Sequence, residues 1–261
     1  MINQDSSAAK QLQNDVVEYL LRLADDRLVL GHRLSEWCGH APILEEDIAL
    51  ANIALDLIGH ATLLLTLAAE TENAGREADS LAYLRDSVDY RNALITELPR
   101  GDFAFTIARQ FFFATYALLQ AEALQRSKNT ELAGIAAKMY KETRYHVRHA
   151  GEWMLKLGDG TDESHERLQN AVNELWRYTG ELFLTDEVEQ GVVKAGVAVD
   201  CSKLEPRWRE QVNEILSRAG ISIPETKWMQ RGGRKGQHTE HLGHMLAEMQ
   251  VLQRQHPGAA W

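Results

Sequence analysis

The chain has 261 residues, 38 acidic against 28 basic side chains, and a formal net charge of -10. At 44% hydrophobic residues it has enough apolar material for one large core, and its acidic balance argues against nucleic acid as a main partner. Its two cysteines, Cys38 and Cys201, lack CxxC spacing, so neither a disulfide framework nor a zinc site is indicated.

The opening stretch, MINQDSSAAKQLQND, has no basic start or apolar run of a secretion signal, which makes a reducing cytoplasm the expected compartment. Residues 1–13 are expected to form a flexible tail, residues 14–160 a helical bundle core, and residues 161–261 a helical extension packed on it. The first helix is predicted from Asn14 to Cys38, with the stripe Val17, Leu20, Leu21, Ala24 and Leu28 at i, i+3, i+4 and i+7. Gly39-His40-Ala41-Pro42 stops it. The second, Glu45 to Glu70, is apolar enough for either a membrane span or the central helix of a bundle. Between Asp47 and Glu70 its one charged side chain is Asp56, with His60 four residues on. Asn52, Asp56 and His60 form one polar stripe, small residues such as Ala54 and Gly59 permit close helix approach, and no second span exists. These features predict a buried bundle helix and no membrane.

A shorter helix is predicted over Leu81 to Glu97, closed by Pro99 and Gly101. The third long helix, Phe103 to Ser127, carries no charge from Gln110 to Ala121 and places Phe111 to Phe113 in the core. The fourth spans Thr130 to Leu157 and ends at Gly158-Asp159-Gly160. Four long helices with short connections predict an all-α four-helix bundle. Beyond it lie a helix from His165 to Phe183, an extended Gly191 to Val199, and a helix to Arg218 opened by a Ser202–Glu205 capping box. The loop Arg231-Gly-Gly-Arg-Lys-Gly236 then precedes a last helix, His238 to Gln255.

Helix four places His146 in its core stripe, with Glu142 and His149 at the edge. An acid and a histidine on each of two bundle helices suggest a carboxylate-bridged di-iron protein, and spacing tests the idea. Such proteins use Glu-x-x-His at i, i+3 on two helices and one acid on each of the others. Here Gly59 follows Asp56 by three and Tyr145 follows Glu142 by three. The buried middle of helix three has no acid, its first being Glu122. Asp56, His60, Glu142 and His146 therefore read as degenerate di-iron positions, with no metal expected in this chain. A buried Asp56 then needs a hydrogen bond across the core, with His146 or His60 as partner.

His238, His241 and His244 fan over roughly 120° of a helix and cannot converge on one metal. The RGGRKG loop offers Arg231, Arg234 and Lys235, backbone N–H groups and, just beyond, His238: a cradle for an anion or an acidic partner. It lacks the Lys-Ser/Thr of a Walker A motif, and no Gly-x-Ser-x-Gly nucleophile motif occurs.

Four segments together carry a resemblance. They are Arg33-Leu-x-Glu-Trp-Cys-Gly-His-Ala-Pro42, Leu50-Ala-Asn-Ile-x-Leu-Asp-Leu57, Lys141-Glu-x-Arg-Tyr-His146, and Gly232-Gly-x-Lys-Gly-x-His-Thr-Glu-His-Leu-Gly243 with Met245-Leu-Ala-Glu-Met-Gln250. From about residue 15 to the C-terminal tryptophan the chain resembles the PaaC-type subunit of bacterial phenylacetyl-CoA 1,2-epoxidase. The resemblance implies a ferritin-like fold and a place in a multicomponent monooxygenase that converts phenylacetyl-CoA to its ring 1,2-epoxide. In such a complex the di-iron centre belongs to a homologous PaaA-type subunit, a reductase delivers electrons from NADPH, and the PaaC-type subunit is the non-catalytic partner. On this reading the RGGRKG loop would meet the phosphates of the CoA thioester or an acidic partner surface. Two alternatives stay open: a di-iron oxygenase in its own right ligating through Asp56/His60 and Glu142/His146, and a free-standing CoA-ester binding module.

Overall fold

A computed structural model describes residues 2–226 and 228–259. Met1 of the expected tail, and the C-terminal Trp261 that closes the resemblance, lie outside the described residues. The fold is all-α and fits a ferritin-like bundle. Helix α1 (Ile2–Ser35) pairs with α2 (Leu44–Glu72), and α5 (Phe103–Leu124) pairs with α6 (Thr130–Gly158). The two hairpins meet along α2 and α6. Helix α1 begins well before Asn14, since nothing in residues 2–13 breaks a helix. Residues 7–14 lie exposed along it, with Gln13 Nε2 donating to the Thr71 carbonyl at 2.6 Å.

The connection between the hairpins departs most from sequence expectation. In place of one helix from Leu81 to Glu97 there are α3 (Ala78–Tyr83), a 3-10 turn at Ser87–Asp89 and the single turn α4 (Leu94–Glu97). Distant carboxylates take the backbone N–H groups that a helix would have used. Asp25 accepts from Arg91 N at 2.8 Å, Asp26 from Ala93 N at 2.7 Å and Glu181 from Leu94 N at 2.8 Å. The local helical preference yields to these buried acceptors.

In the C-terminal third, α7 (Asp162–Thr179) starts with a Thr161–Ser164 capping box, a turn earlier than the expected His165. Helix α8 (Glu187–Lys194), capped by Asp186, replaces the first part of the segment read as extended. Helix α9 (Glu205–Arg218) begins with Pro206 in its first turn, and Asp200 rather than Ser202 caps the 3-10 turn before it. The final helix divides at Gln250 into α10 (Glu240–Met249) and α11 (Val251–Gln255).

The Phe111 to Phe113 run is core, as expected. Phe112 meets Trp176 edge-on at 5.8 Å and Trp208 at 5.9 Å, and Phe183 lies 5.2 Å from Trp208. Trp208 is fully buried, and its Nε1–H donates to the Phe112 carbonyl at 3.0 Å. This aromatic layer ties α7 and α9 to α5 with both area and edge-to-face geometry.

Candidate functional site

Where α2 and α6 run side by side, three histidine–carboxylate pairs cross between them. His60 Nε2 lies 2.6 Å from Glu142 Oε2, His146 Nε2 lies 3.0 Å from Asp56 Oδ2, and His149 Nε2 lies 2.7 Å from Glu46 Oε2. The rings point inward and are buried, whereas Asp56 and Glu142 sit at the rim with 35% and 31% of their side chains exposed. Asp56 thus has the expected partner, His146, but it is half-buried: the polar stripe of α2 lies at the edge of the interface rather than at its centre. His60 pairs with Glu142 and not with Asp56. Glu46 escaped sequence reasoning because it stands among three acids in the first turn of α2, where helix-dipole stabilisation already accounts for it.

Burial pushes His60 down to about 2, and the charges of Arg27, His146 and Lys138 act in the same direction. The ring is therefore neutral at physiological pH, and its Nε2–H donates to a carboxylate; the contact is not an ion pair. Burial also raises Glu142, opposed by Lys138 and reinforced by Asp56. Behind His60 the bundle interior is cationic. Arg27 is 1% exposed and donates to Leu23 O at 2.7 Å and to Gln120 Oε1 at 3.1 Å. Gln120 Nε2 in turn donates to Tyr116 Oη at 2.7 Å, which lies 3.4 Å from Cys201 Sγ. Arg27 was legible in principle, being a lone cation three residues after Ala24 on the apolar face of the first helix.

The RGGRKG loop does cradle anions, but they belong to the chain itself. Gly232 N donates to Glu181 at 2.7 Å, Arg234 donates twice to Asp26 at 2.9 and 2.8 Å, and His238 Nδ1 lies 2.7 Å from Glu97. Burial pulls the His238 imidazole down, yet the Glu97 hydrogen bond and charge outweigh it and the net shift is upward. Arg234 and His238 are thus committed to internal carboxylates and are not free to meet an external anion. His238 also precedes α10, so the row His238, His241, His244 is not even on one helix. Arg231 and Lys235 remain exposed and form no ion pair among the described residues. They stand over a cleft of about 480 Å³ that is also lined by Arg22, Leu184, Asp186 and Gln237.

The loop's glycines are steric requirements. A Cβ on Gly233 would strike the Asn92 carbonyl, and one on Gly236, at φ 72°, would strike the Val88 carbonyl. Gly233→Ala is expected to cost about 1–3 kcal/mol through overpacking against backbone, read as a lower midpoint of chemical denaturation. An unchanged midpoint would show that the clasp is not tight.

The family model described as phenylacetic acid catabolic protein matches residues 1–261. The chain belongs to that family. It is also 48% identical over 248 residues, 95% of this chain and all of the relative, to the C subunit of the 1,2-phenylacetyl-CoA epoxidase of Escherichia coli strain K12.

The layer between α2 and α6 is where the sequence-expected degenerate di-iron positions Asp56, His60, Glu142 and His146 meet. The residues present do not fit a di-iron centre. No group of three or more His, Cys, Asp or Glu among the described residues is placed to hold a metal ion. Counting back three positions gives Leu57 from His60, Thr143 from His146 and His146 from His149, so none of the three histidines has the acid of a Glu-x-x-His pair. Each Nε2 is already taken by a carboxylate from the opposite helix. Helices α1 and α5 bring a guanidinium, Arg27, and an amide, Gln120, to the interior. A fixed positive charge beside His60 opposes a pair of metal cations.

Proposed function

We propose that this family member is a non-catalytic, structural subunit of a phenylacetyl-CoA epoxidase complex in aerobic phenylacetate catabolism, holding a homologous di-iron subunit in working form. The carrying observation is the α2–α6 layer: histidines and acids are present, but each Nε2 is held by a carboxylate of the opposite helix and neither helix carries Glu-x-x-His spacing. The full-length similarity to an epoxidase C subunit supports the same reading. The purified chain is expected to contain well under one iron, and to form a stable mixed complex when co-expressed with a family member that retains intact Glu-x-x-His pairs. About two irons per chain would overturn the reading in favour of a di-iron enzyme.

Arg231 and Lys235 are the proposed external anion contact, because they are the exposed, unpaired cations of the loop. Their anion is the CoA phosphate group or an acidic partner surface. The double replacement Arg231→Ala/Lys235→Ala is expected to weaken phenylacetyl-CoA binding by the assembled complex, or assembly itself. Unchanged affinity in both assays discards this contact.

A further inference from the structure

The outer side of α2 is apolar and uncovered. Leu44, Ile48 and Leu55 are 72%, 53% and 66% exposed. Farther along, the hydroxyls of Thr62 and Thr66 bond back to the carbonyls of Ile58 and Thr62, so neither relies on solvent for a partner. A Cβ on Gly59 would meet nothing within 4 Å, so another backbone has room to approach there. Helix α2 contains no Lys or Arg, whose stems often cover such surface. From Leu44 to Thr66 the stripe runs about 33 Å. Although α2 is long and apolar enough to span a membrane, only 44% of that stretch is buried inside the fold.

Helix α6 adds an exposed edge that is mainly positive, with Glu152 one turn beyond Arg148. Lys141, Arg144 and Arg148 are exposed, and none is paired with a carboxylate among the described residues. The Arg148 guanidinium lies 5.6 Å over the ring of Tyr145, itself 39% exposed. Three unpaired cations on one helix edge are unusual surroundings in a chain of net charge -10. Between stripe and cations lie Asp56 and Glu142, both held by histidines from across the layer.

We propose that the α2–α6 face receives an amphipathic helical surface of a second, different subunit. That surface would place apolar side chains on Leu44, Ile48 and Leu55 and acidic side chains against Lys141, Arg144 and Arg148. The proposal rests on the subunit reading above and names the face that serves it. An apolar helix stripe flanked by charge is the surface onto which helices dock, and exposed Tyr and Arg are favoured interface residues. A second copy of this chain, meeting the first through the same face, is a poor complement: of the α2 carboxylates alongside the stripe, Glu46 and Asp56 are engaged by His149 and His146 and Asp47 by the Gly39 N–H, which leaves Glu45 to meet three cations.

The test uses the full chain co-expressed with the family member that retains intact Glu-x-x-His pairs, and two exposed-site variants, Leu55→Lys and Arg148→Glu. Both variants are expected to melt like the wild type and to bind the second subunit at least tenfold more weakly. On assembly, hydrogen exchange should slow in residues 44–66 and 141–148. A wild-type complex whose affinity neither variant changes, with protection elsewhere, overturns this face and leaves the subunit role intact. No wild-type complex at all overturns both. Self-association abolished by Leu55→Lys, or sedimentation with phosphatidylcholine–phosphatidylserine vesicles in the absence of a complex, overturns the choice of partner.

Discussion

Replacing Asp26 with alanine is expected to destabilise the fold by about 3–5 kcal/mol, the range for stranding one member of a buried ion pair. Asp26 is fully buried and accepts three hydrogen bonds, two from Arg234 and one from Ala93 N. Arg234 also donates to the carbonyls of Arg22 and Arg91. One carboxylate therefore joins α1, the irregular connection at residues 91–93 and the C-terminal loop. Burial is the largest influence on Arg234 and lowers its pKa, but the charge and hydrogen bonds of Asp26, together with Tyr116 and Glu189, outweigh it and hold the group above its ordinary value. With Asp26 gone, the guanidinium keeps its carbonyls and loses its counter-charge. For a chain of this size the thermal midpoint should drop by roughly 6–20 °C. Arg234→Ala should cost a similar amount, and the double variant distinctly less than the sum, because the two side chains act as a unit. A loss below about 1 kcal/mol for Asp26→Ala, or strictly additive effects, would show that the clasp is dispensable.

The four long helices were legible in the sequence because their apolar positions repeat at helical spacing and Gly39, Pro42, Gly101 and Gly158 punctuate them. What failed was decided by partners far away in sequence. Leu81 to Glu97 has a helical pattern, yet Asp25, Asp26 and Glu181 capture its backbone N–H groups, and nothing local announces that. Likewise, the RGGRKG loop was read as a cradle for an external anion, but Gly232 N and Arg234 hold Glu181 and Asp26, supplied by distant helices. In the candidate site, the residue types on α2 and α6 were legible and their pairing was not. Which acid meets which histidine depends on the register between two helices, a tertiary quantity. The burial of Asp56 was overestimated for a related reason: composition shows that α2 is apolar all round but not which side remains uncovered. The exposed Leu44, Ile48 and Leu55 answer that question.

The second large effect concerns acid. Unfolded, His60 titrates near its ordinary value of 6.5; folded, it resists protonation until about pH 2. Between those values the unfolded chain binds the extra proton, so stability is full above pH 6.5 and falls as the pH drops below it. One such group removes about 1.4 kcal/mol per pH unit, or about 2 kcal/mol between pH 6.5 and pH 5. The Glu142 carboxylate at 2.6 Å pulls the other way, but it is itself raised by burial and by Asp56 and shares its charge with Lys138 at 3.8 Å. Enclosure and the fixed charge of Arg27 prevail. His32, lowered by burial, adds to the same slope, whereas His238, raised on folding, has its contribution fully present below pH 6.5 and loses it as the pH rises through its folded value. Comparison with His60→Gln therefore isolates the one ring, because an amide still donates to Glu142 and does not titrate. Denaturant unfolding at pH 5, 5.75 and 6.5 should give a shallower pH dependence in the variant by about one proton. Equal slopes would mean that His60 is protonated in the folded state, making its bond to Glu142 an ion pair. Since that bond joins α2 to α6, the result also reports whether acid loosens the joint on which the proposed docking face is built.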